Sequence, residues 1–314
     1  MAKGGGSCAA AVAAACGRFV VSTAGRIVVG LIGSDIEASF SPALHEREAQ
    51  MQGLPYVYLT FDLGRLGAAP EDVGQLVDSA RRLGFAGLNI THPCKQLVVR
   101  HLDRVSGRAS LVGAVNTVVF EEGQAVGHNT DWYGFEESFV RALPDAVMDE
   151  VVVVGAGGAG TAVAHALLTR AAGTLRVVDI DMARAEGLAR ALQAHYGSGR
   201  ASFVAPSELA RSLAGASGVV NATPVGMVGH PGVPFDPAWL RPDLWVAEVI
   251  YRPLETQLLR SARRLGCATV DGGGMAVFQA VEAFELFTGI RPDAERMLKH
   301  LDALIAEHER ASAV

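Results

Sequence analysis

Apolar residues in this chain gather in short runs, and the stretches between them carry helical spacing, so the pattern reads as alternating strands and helices. The first run, Arg26 to Ile32, is rich in β-branched residues and closes at Gly33. Ser39-Phe40-Ser41-Pro42 then supplies a turn and a helix start, with Pro42 at the first helical position and the helix continuing from Ala43 to Met51. Tyr56 to Phe61 alternates as a strand does, Glu71 to Leu83 is helical in spacing, and Ala86 to Ile90 is a third strand, ending at Thr91. A helix is expected over Pro93 to Leu102, and Thr117 to Phe120 with Ala125 to His128 forms a strand pair around Glu121-Glu122-Gly123.

After a linking helix, Trp132 to Leu143, the run Val151 to Val154 leads straight into Gly155-Ala156-Gly157-Gly158-Ala159-Gly160 and an alanine-rich helix. Buried-type strands follow at Leu175 to Val178, Ser202 to Val204, Gly218 to Asn221, Trp245 to Ile250 and Ala268 to Val270, an alternation that predicts a doubly wound parallel sheet. Met275 to Thr288 and Asp293 to Glu309 are helices with no strand left to add, expected to pack back on the first lobe. The expected fold class is α/β in two lobes facing a cleft. An N-terminal α/β lobe takes residues 26–131 and 275–314, a Rossmann-like doubly wound lobe takes 132–274, and residues 1–25 are a low-complexity or disordered tail.

Composition narrows the partners. With 314 residues, half of them hydrophobic, the chain can bury two cores. Lys plus Arg is 27 against 33 Asp plus Glu, a net charge of -6, so the electrostatic footprint of a nucleic-acid binder is missing and a small-molecule partner is expected. Cys8, Cys16, Cys94 and Cys267 form neither a CxxC nor a CxxH cluster, so no disulfide framework and no metal site is expected. Cys8 to Cys16 behind Lys3 only faintly imitates a secretory leader, and no run is long enough to span a membrane, so a cytoplasmic protein is expected.

Gly155, Gly157 and Gly160 follow a strand, open a helix, and precede the strand-ending Asp179 by a distance suited to a dinucleotide site. In that reading Gly155 permits the tight turn, Gly157 lets a pyrophosphate approach the helix N-terminus, and Gly160 lets helix and strand pack closely. Asp179 would accept hydrogen bonds from the adenosine ribose and repel a 2′-phosphate, favouring NAD; Ile180 and Met182 add no cation, while Arg184 keeps NADP open. The bland alternative for Asp179 is an acid that ends a strand or caps the next helix.

Lys95 follows Thr91-His92-Pro93, a helix-start signal, where a cation opposes the macrodipole and proton loss is eased, as a general base requires; a solvated surface lysine is the alternative. Asp131, after Asn129-Thr130, is an acid placed to hold that lysine. Ser39, Ser41, Thr91 and Asn116 offer uncharged groups for a small hydroxylated acid, though each also suits a cap or turn. His45, His92 and His128 are secondary base candidates at element boundaries, and Cys94 lacks an assigned base partner.

These motifs resemble the shikimate dehydrogenase family in order and spacing. The match runs through Ser39-Phe40-Ser41-Pro42 with His45, Asn89-Ile90-Thr91-His92-Pro93-Cys94-Lys95, Gly113-Ala114-Val115-Asn116-Thr117 and Asn129-Thr130-Asp131. It continues with Gly155 to Gly160, Asn221-Ala222-Thr223-Pro224-Val225-Gly226-Met227, Tyr251-Arg252-Pro253, and Asp271-Gly272 with Met275 and Gln279. The resemblance implies reversible hydride transfer between a nicotinamide cofactor and a ring alcohol, shikimate or quinate, in the shikimate pathway of aromatic amino acid biosynthesis or in quinate catabolism. It implies Lys95 and Asp131 as the catalytic pair, Ser39 and Ser41 on the substrate carboxylate, and Thr91, Asn116, Tyr251 and Gln279 around the rest of the ring. Cofactor contacts fall on Gly155, Ala156, Gly157, Gly158, Ala159, Gly160, Asp179, Arg184, Asn221, Thr223, Pro224 and Gly274.

Asp179-Ile180-Asp181 stands where NADP-using members carry an Asn-Arg-Thr segment, and the Thr-His-Pro form of the lysine motif resembles the NAD-dependent quinate/shikimate dehydrogenases. An NADP-dependent biosynthetic shikimate dehydrogenase or an aminoshikimate dehydrogenase is the alternative within the family, acting as a monomer or homodimer. Glu46, where the family has Asn, should touch helix packing, and the glycines Gly272 to Gly274 should act as a hinge. From other classes, a methyltransferase would explain the glycine loop and acid but not the lysine motif, and an NAD-sensing regulator would need neither Lys95 nor Asp131.

Overall fold

The structure is a computed structural model that describes residues 25–312. The expected tail, up to residue 24, and Cys8 and Cys16 with it, lie outside the described residues. The chain divides into two compact units, one built from residues up to Thr130 and from Ala280 onward, the other from Asp131–Gln279. The second crossing falls at 279/280, five residues later than the sequence pattern suggests, because it lies inside a continuous helix and has no loop to mark it.

The first unit contains β1 (Ile27–Gly33), α1 (Ser41–Met51), β2 (Tyr56–Asp62), the single turn α2 (Leu63–Leu66), α3 (Val73–Arg82), β3 (Gly87–Ile90), β4 (Arg104–Val105), α4 (Gly107–Val112), β5 (Thr117–Glu121) and β6 (Gln124–His128). Its sheet has the order β2-β1-β3-β5-β6-β4. The strands β2, β1 and β3 are parallel, while β5 runs antiparallel to both β3 and β6. The β5–β6 hairpin turns on Glu122 and Gly123, both at positive φ (51° and 81°), the backbone that matches strand twist in a two-residue turn. β4 and α4, which the hydrophobic pattern did not signal, follow from Asp103 and Ser106: Asp103 accepts from Ala125 N, and Ser106 caps α4 through Ala109 N.

One expectation fails here. Instead of a helix over Pro93 to Leu102, residues 92–96 form turns and only Leu97–His101 is helical, as a short 3₁₀ segment. The backbone groups a helix would use are committed elsewhere: the Lys95 carbonyl accepts from Val115 N at 2.8 Å, and the His92 carbonyl from Ser34 N at 2.9 Å. Lys95 therefore does not sit on an α-helical macrodipole, and that argument for its proton loss lapses.

The second unit contains α5 (Thr130–Ala142), which begins at the crossing, β7 (Glu150–Val154), α6 (Gly158–Thr169), β8 (Thr174–Val178), α7 (Met182–Tyr196), β9 (Ala201–Phe203), α8 (Leu209–Gly215), β10 (Gly218–Asn221), β11 (Trp245–Glu248), α9 (Gln257–Leu265), β12 (Thr269–Val270) and the first half of α10 (Gly272–Thr288). All six strands are parallel in the order β12-β11-β10-β7-β8-β9, a doubly wound sheet whose direction of winding reverses between β7 and β10. Val152, Val154, Val219, Val246, Leu213 and Leu259 are among its core residues. Gly272 and Gly274, expected as a hinge, instead pack tightly: a side chain on either would strike the Ile250 backbone or the Ser138 side chain.

The second half of α10 and the last helix, α11 (Ala294–Ser312), belong to the first unit. Ala283 and Phe287 join Ile27, Val29, Leu31 and Tyr58 in its core, and Phe284 packs with Ala49 and Leu54. Glu48 of α1, with no side-chain exposure, receives Arg296 of α11 at 2.6 Å and Asp293 N at 2.9 Å. Glu46 does touch packing, through Tyr58 N at 3.0 Å. No described helix is long and apolar enough to cross a membrane.

Candidate active site

In the first unit, strand direction decides which residues meet. The C-terminal ends of β1, β3 and β6 and the N-terminal end of the antiparallel β5 share one edge, since Asn89 pairs with Thr117 and Thr117 with His128. The loop carrying Ser39 and Ser41 leaves β1 at that edge, Thr91 and Lys95 follow β3, Asn116 precedes β5, and Asn129-Thr130 follow β6. Main-chain bonds lash these segments together: Thr91 N donates to Ile32 O, Ile90 N to Asn116 O, and Asn116 N to His128 O. Ser39 Oγ accepts from Ser41 N at 3.3 Å, but neither serine occupies the N-cap of α1, which is Phe40.

Beneath that edge lies a buried polar chain. Tyr58 Oη donates to Asn89 Oδ1 at 2.8 Å, and Asn89 Nδ2 donates to Thr117 Oγ1 and to the Asn116 carbonyl. Asn116 in turn donates from Nδ2 to Thr130 Oγ1 and accepts from Thr130 N at 2.7 Å, so the residue before Asp131 is held from two sides. Asn89 has no role of its own in the sequence reading, although it opens the motif that ends at Lys95. Of the other base candidates, His45 is fully buried against Tyr56, Tyr58, Phe284 and Phe287, and burial pushes it down to about 3, so it stays neutral. His128 is also lowered by burial, and burial raises the Cys94 thiol.

In the second unit, the glycine segment occupies the C-terminal end of β7, at the reversal of winding. Gly155 has φ 105° and abuts Ala222 and Thr223, and a Cβ on Gly160 would run into the Gly155 carbonyl. Gly157 faces open space, is the N-cap of α6, offers no side-chain cap, and no acid occupies the first turn. The leading N–H groups of a buried helix thus point at an uncovered cradle, which suits a dinucleotide pyrophosphate. Asp179, at the end of β8, accepts from Ala156 N at 2.7 Å and Asp181 N at 2.9 Å. The helix-cap alternative for Asp179 goes instead to Asp181, which caps α7 and pairs with Arg184 at 3.7 Å. Ile180, beside Asp179, is 96% exposed.

Asn221 and Thr223 open the turn after β10, and Tyr251 follows β11. Gly134, one turn after Asp131 on α5, lies where a side chain would collide with Met275 O and with Gln279, so α10 crosses α5 at that point. Gly274 lies one turn earlier on α10.

Comparison with known proteins assigns the two ends of the chain. Residues 31–118 match the model of the shikimate dehydrogenase substrate binding domain, and residues 272–301 that of the shikimate 5'-dehydrogenase C-terminal domain. A shikimate dehydrogenase (NADP(+)) of Streptomyces avermitilis is 62% identical over 88% of this chain and 95% of its own. A quinate/shikimate dehydrogenase (NAD(+)) of Corynebacterium efficiens is 50% identical over 86% of this chain and 96% of its own. Among solved structures, quinate dehydrogenase from Corynebacterium glutamicum in complex with NAD superposes with a TM-score of 0.84 at 47% identity, covering 88% of this chain and 99% of that one.

Proposed function

Since the chain belongs to the shikimate dehydrogenase family and is therefore an oxidoreductase, we propose that it interconverts shikimate with 3-dehydroshikimate, quinate with 3-dehydroquinate, or both, using NAD. The observation that carries the cofactor preference is Asp179. Its carboxylate uses two of about four acceptor sites on backbone N–H groups, leaving the others for ribose hydroxyls, and its charge repels a 2′-phosphate. Arg184, the nearby cation in sequence, is engaged with Asp181.

In this reading Gly155 to Gly160 hold the pyrophosphate through the N-terminus of α6, with Asn221, Thr223, Pro224 and Gly274 bordering the rest of the cofactor. When bound, the nicotinamide accepts or returns the hydride. Lys95 takes the proton from the reacting hydroxyl during oxidation and returns it during reduction. Asp131 orients the lysine and a neighbouring ring hydroxyl, and the buried Asn116–Thr130 bonds hold the chain just before it. Ser39 and Ser41 bind the carboxylate, while Thr91, Asn116, Tyr251 and Gln279 set the ring's orientation. We place the enzyme in the cytoplasm, where the buried free thiols Cys94 and Cys267 are the expected state.

The second reading is an NADP-dependent shikimate dehydrogenase, favoured by the cofactor named for the Streptomyces avermitilis relative. Initial rates with shikimate and quinate, each with NAD and NADP, separate the two. The expected result is a higher kcat/KM with NAD for each acid that is turned over; a higher value with NADP overturns the cofactor assignment, and no activity with either acid overturns the substrate assignment.

A further inference from the structure

The strand β11 closes on Glu248, a carboxylate with no part in the mechanism above and only 1% exposure. Asn221 of β10 is its direct register partner, and Asn221 Nδ2 donates to Glu248 Oε1 at 2.9 Å. The other oxygen, Oε2, is buried and has no hydrogen-bond partner. Burial pushes this carboxyl above the usual carboxylate range, with the Asn221 and Thr256 side chains drawing it partly back. An apolar residue of the same size would pack here without that cost, so stability alone does not account for an acid at this position.

Asn221 is the hub of the turn that follows. Its Oδ1 accepts from Thr223 N at 3.1 Å and Thr223 Oγ1 at 2.7 Å, and its Nδ2 also donates to the Val225 carbonyl at 3.2 Å. Thr223 Oγ1 then accepts from Val225 N. The turn abuts Gly155 through Ala222 and Thr223, so its shape and that of the glycine cradle are linked. A carboxamide is nearly symmetric in shape, and what selects one orientation is a partner that only accepts or only donates. Glu248 Oε1 is such a partner, as are the Val225 carbonyl and Thr223 N within the turn itself. Glu248 holds the nitrogen of Asn221 toward β11 and so ties the turn, whose own bonds engage Oδ1 with Thr223, to the neighbouring strand.

We propose that Glu248 is a positioning residue for cofactor binding: it fixes Asn221 and, through it, the turn Thr223-Pro224-Val225 on the cofactor side of the enzyme. The inference rests on the dehydrogenase reading above, in which that turn borders the nicotinamide nucleotide. Glu248 touches neither substrate nor cofactor and works only through Asn221.

The test uses the full chain with Glu248→Met, which fills the same space without an acceptor, and Glu248→Gln, which keeps an acceptor at Oε1. NADH binding is titrated directly, beside the KM for shikimate, the melting temperature and amide exchange over residues 221–232. For Glu248→Met we expect NADH binding weakened about tenfold or more, as loss of a buried hydrogen bond to a charged group allows. Its melting temperature should be unchanged or higher, its shikimate KM within about twofold, and the Thr223 and Val225 amides should exchange faster. Glu248→Gln should bind NADH within about threefold of the parent. Parent-like NADH binding by the Met variant overturns the proposal, as does a Gln variant that falls as far as Met, or equal losses for substrate and cofactor together with a lower melting temperature. If the parent itself binds neither NADH nor NADPH, the dehydrogenase reading fails and the proposal with it; parent binding that the Met variant retains sinks the positioning role alone.

Discussion

Replacing Asp179 is the obvious way to change cofactor preference, and the structure predicts that it damages binding of both nucleotides. The carboxylate, which is nearly buried, anchors the glycine cradle through Ala156 N at 2.7 Å and the start of α7 through Asp181 N at 2.9 Å. Each hydrogen bond to a charged acceptor contributes about 1.5–3 kcal/mol, so Asp179→Ala forfeits roughly 3–6 kcal/mol before water and loop relaxation recover part of it. Removing the charge also relieves repulsion of a 2′-phosphate, a gain for NADP alone that offsets part of the anchoring loss. The expected outcome is a fall in kcat/KM of about a hundredfold with NAD and a smaller fall with NADP, so selectivity narrows because NAD worsens more. Asp179→Asn keeps one acceptor and should lose less than Ala. Initial rates with both cofactors, supported by NADH and NADPH titrations, decide it. An Ala variant that keeps its NAD activity within twofold, or uses NADP better than the parent does, refutes the anchoring role.

Lys95→Met should lower kcat by about 10² to 10⁴ with little change in NADH binding, whereas a raised KM with intact kcat would show a binding lysine and no base. His45 stays neutral in the folded protein down to about pH 3 but is protonated below about 6.5 once unfolded, so stability is full above 6.5 and falls with acid. Urea unfolding at pH 7 and pH 5 should differ by about 2 kcal/mol from this group, and His45→Phe should remove that share of the slope. Arg296→Met strands Glu48, whose side chain is fully buried, and should cost about 3–5 kcal/mol in urea unfolding at pH 7. Burial alone would raise the Glu48 carboxyl, but the Arg296, Asp293 and Gln52 hydrogen bonds leave it lowered, so the cost of Arg296→Met should shrink as pH falls through the carboxylate range.

The nucleotide-binding unit was legible because its determinants are local. A buried-type strand, glycines placed for a tight turn and a close helix approach, and an acid at the next strand end each express a constraint that acts within a few residues. Apart from β4, the strands of both sheets were legible for the same reason, since side-chain alternation and β-branched runs are properties of adjacent positions. The helix expected over Pro93 to Leu102 failed where that logic stops. Val115 N, twenty residues away, takes the Lys95 carbonyl at 2.8 Å, and a non-local hydrogen bond outweighed local helix propensity.

Tertiary structure alone decided which polar residues became partners. Asn116 reaches the edge that carries Thr91 and Lys95 only because β5 runs antiparallel to β3, and strand direction is settled by pairing rather than by composition. Asp179 could be named as a cofactor residue from its spacing, but its hold on Ala156 requires β7 and β8 to lie side by side. Glu248 left almost no trace in the pattern, and Asn89 stood out only as the opening residue of the motif that ends at Lys95; both are single polar residues in short buried strands. Their partners lie 27 or more residues away, in Asn221 for the one and in Tyr58 and Thr117 for the other. Local chemistry marks where a turn or a helix begins, whereas a buried polar group acquires its meaning from the donor or acceptor that folding brings to it.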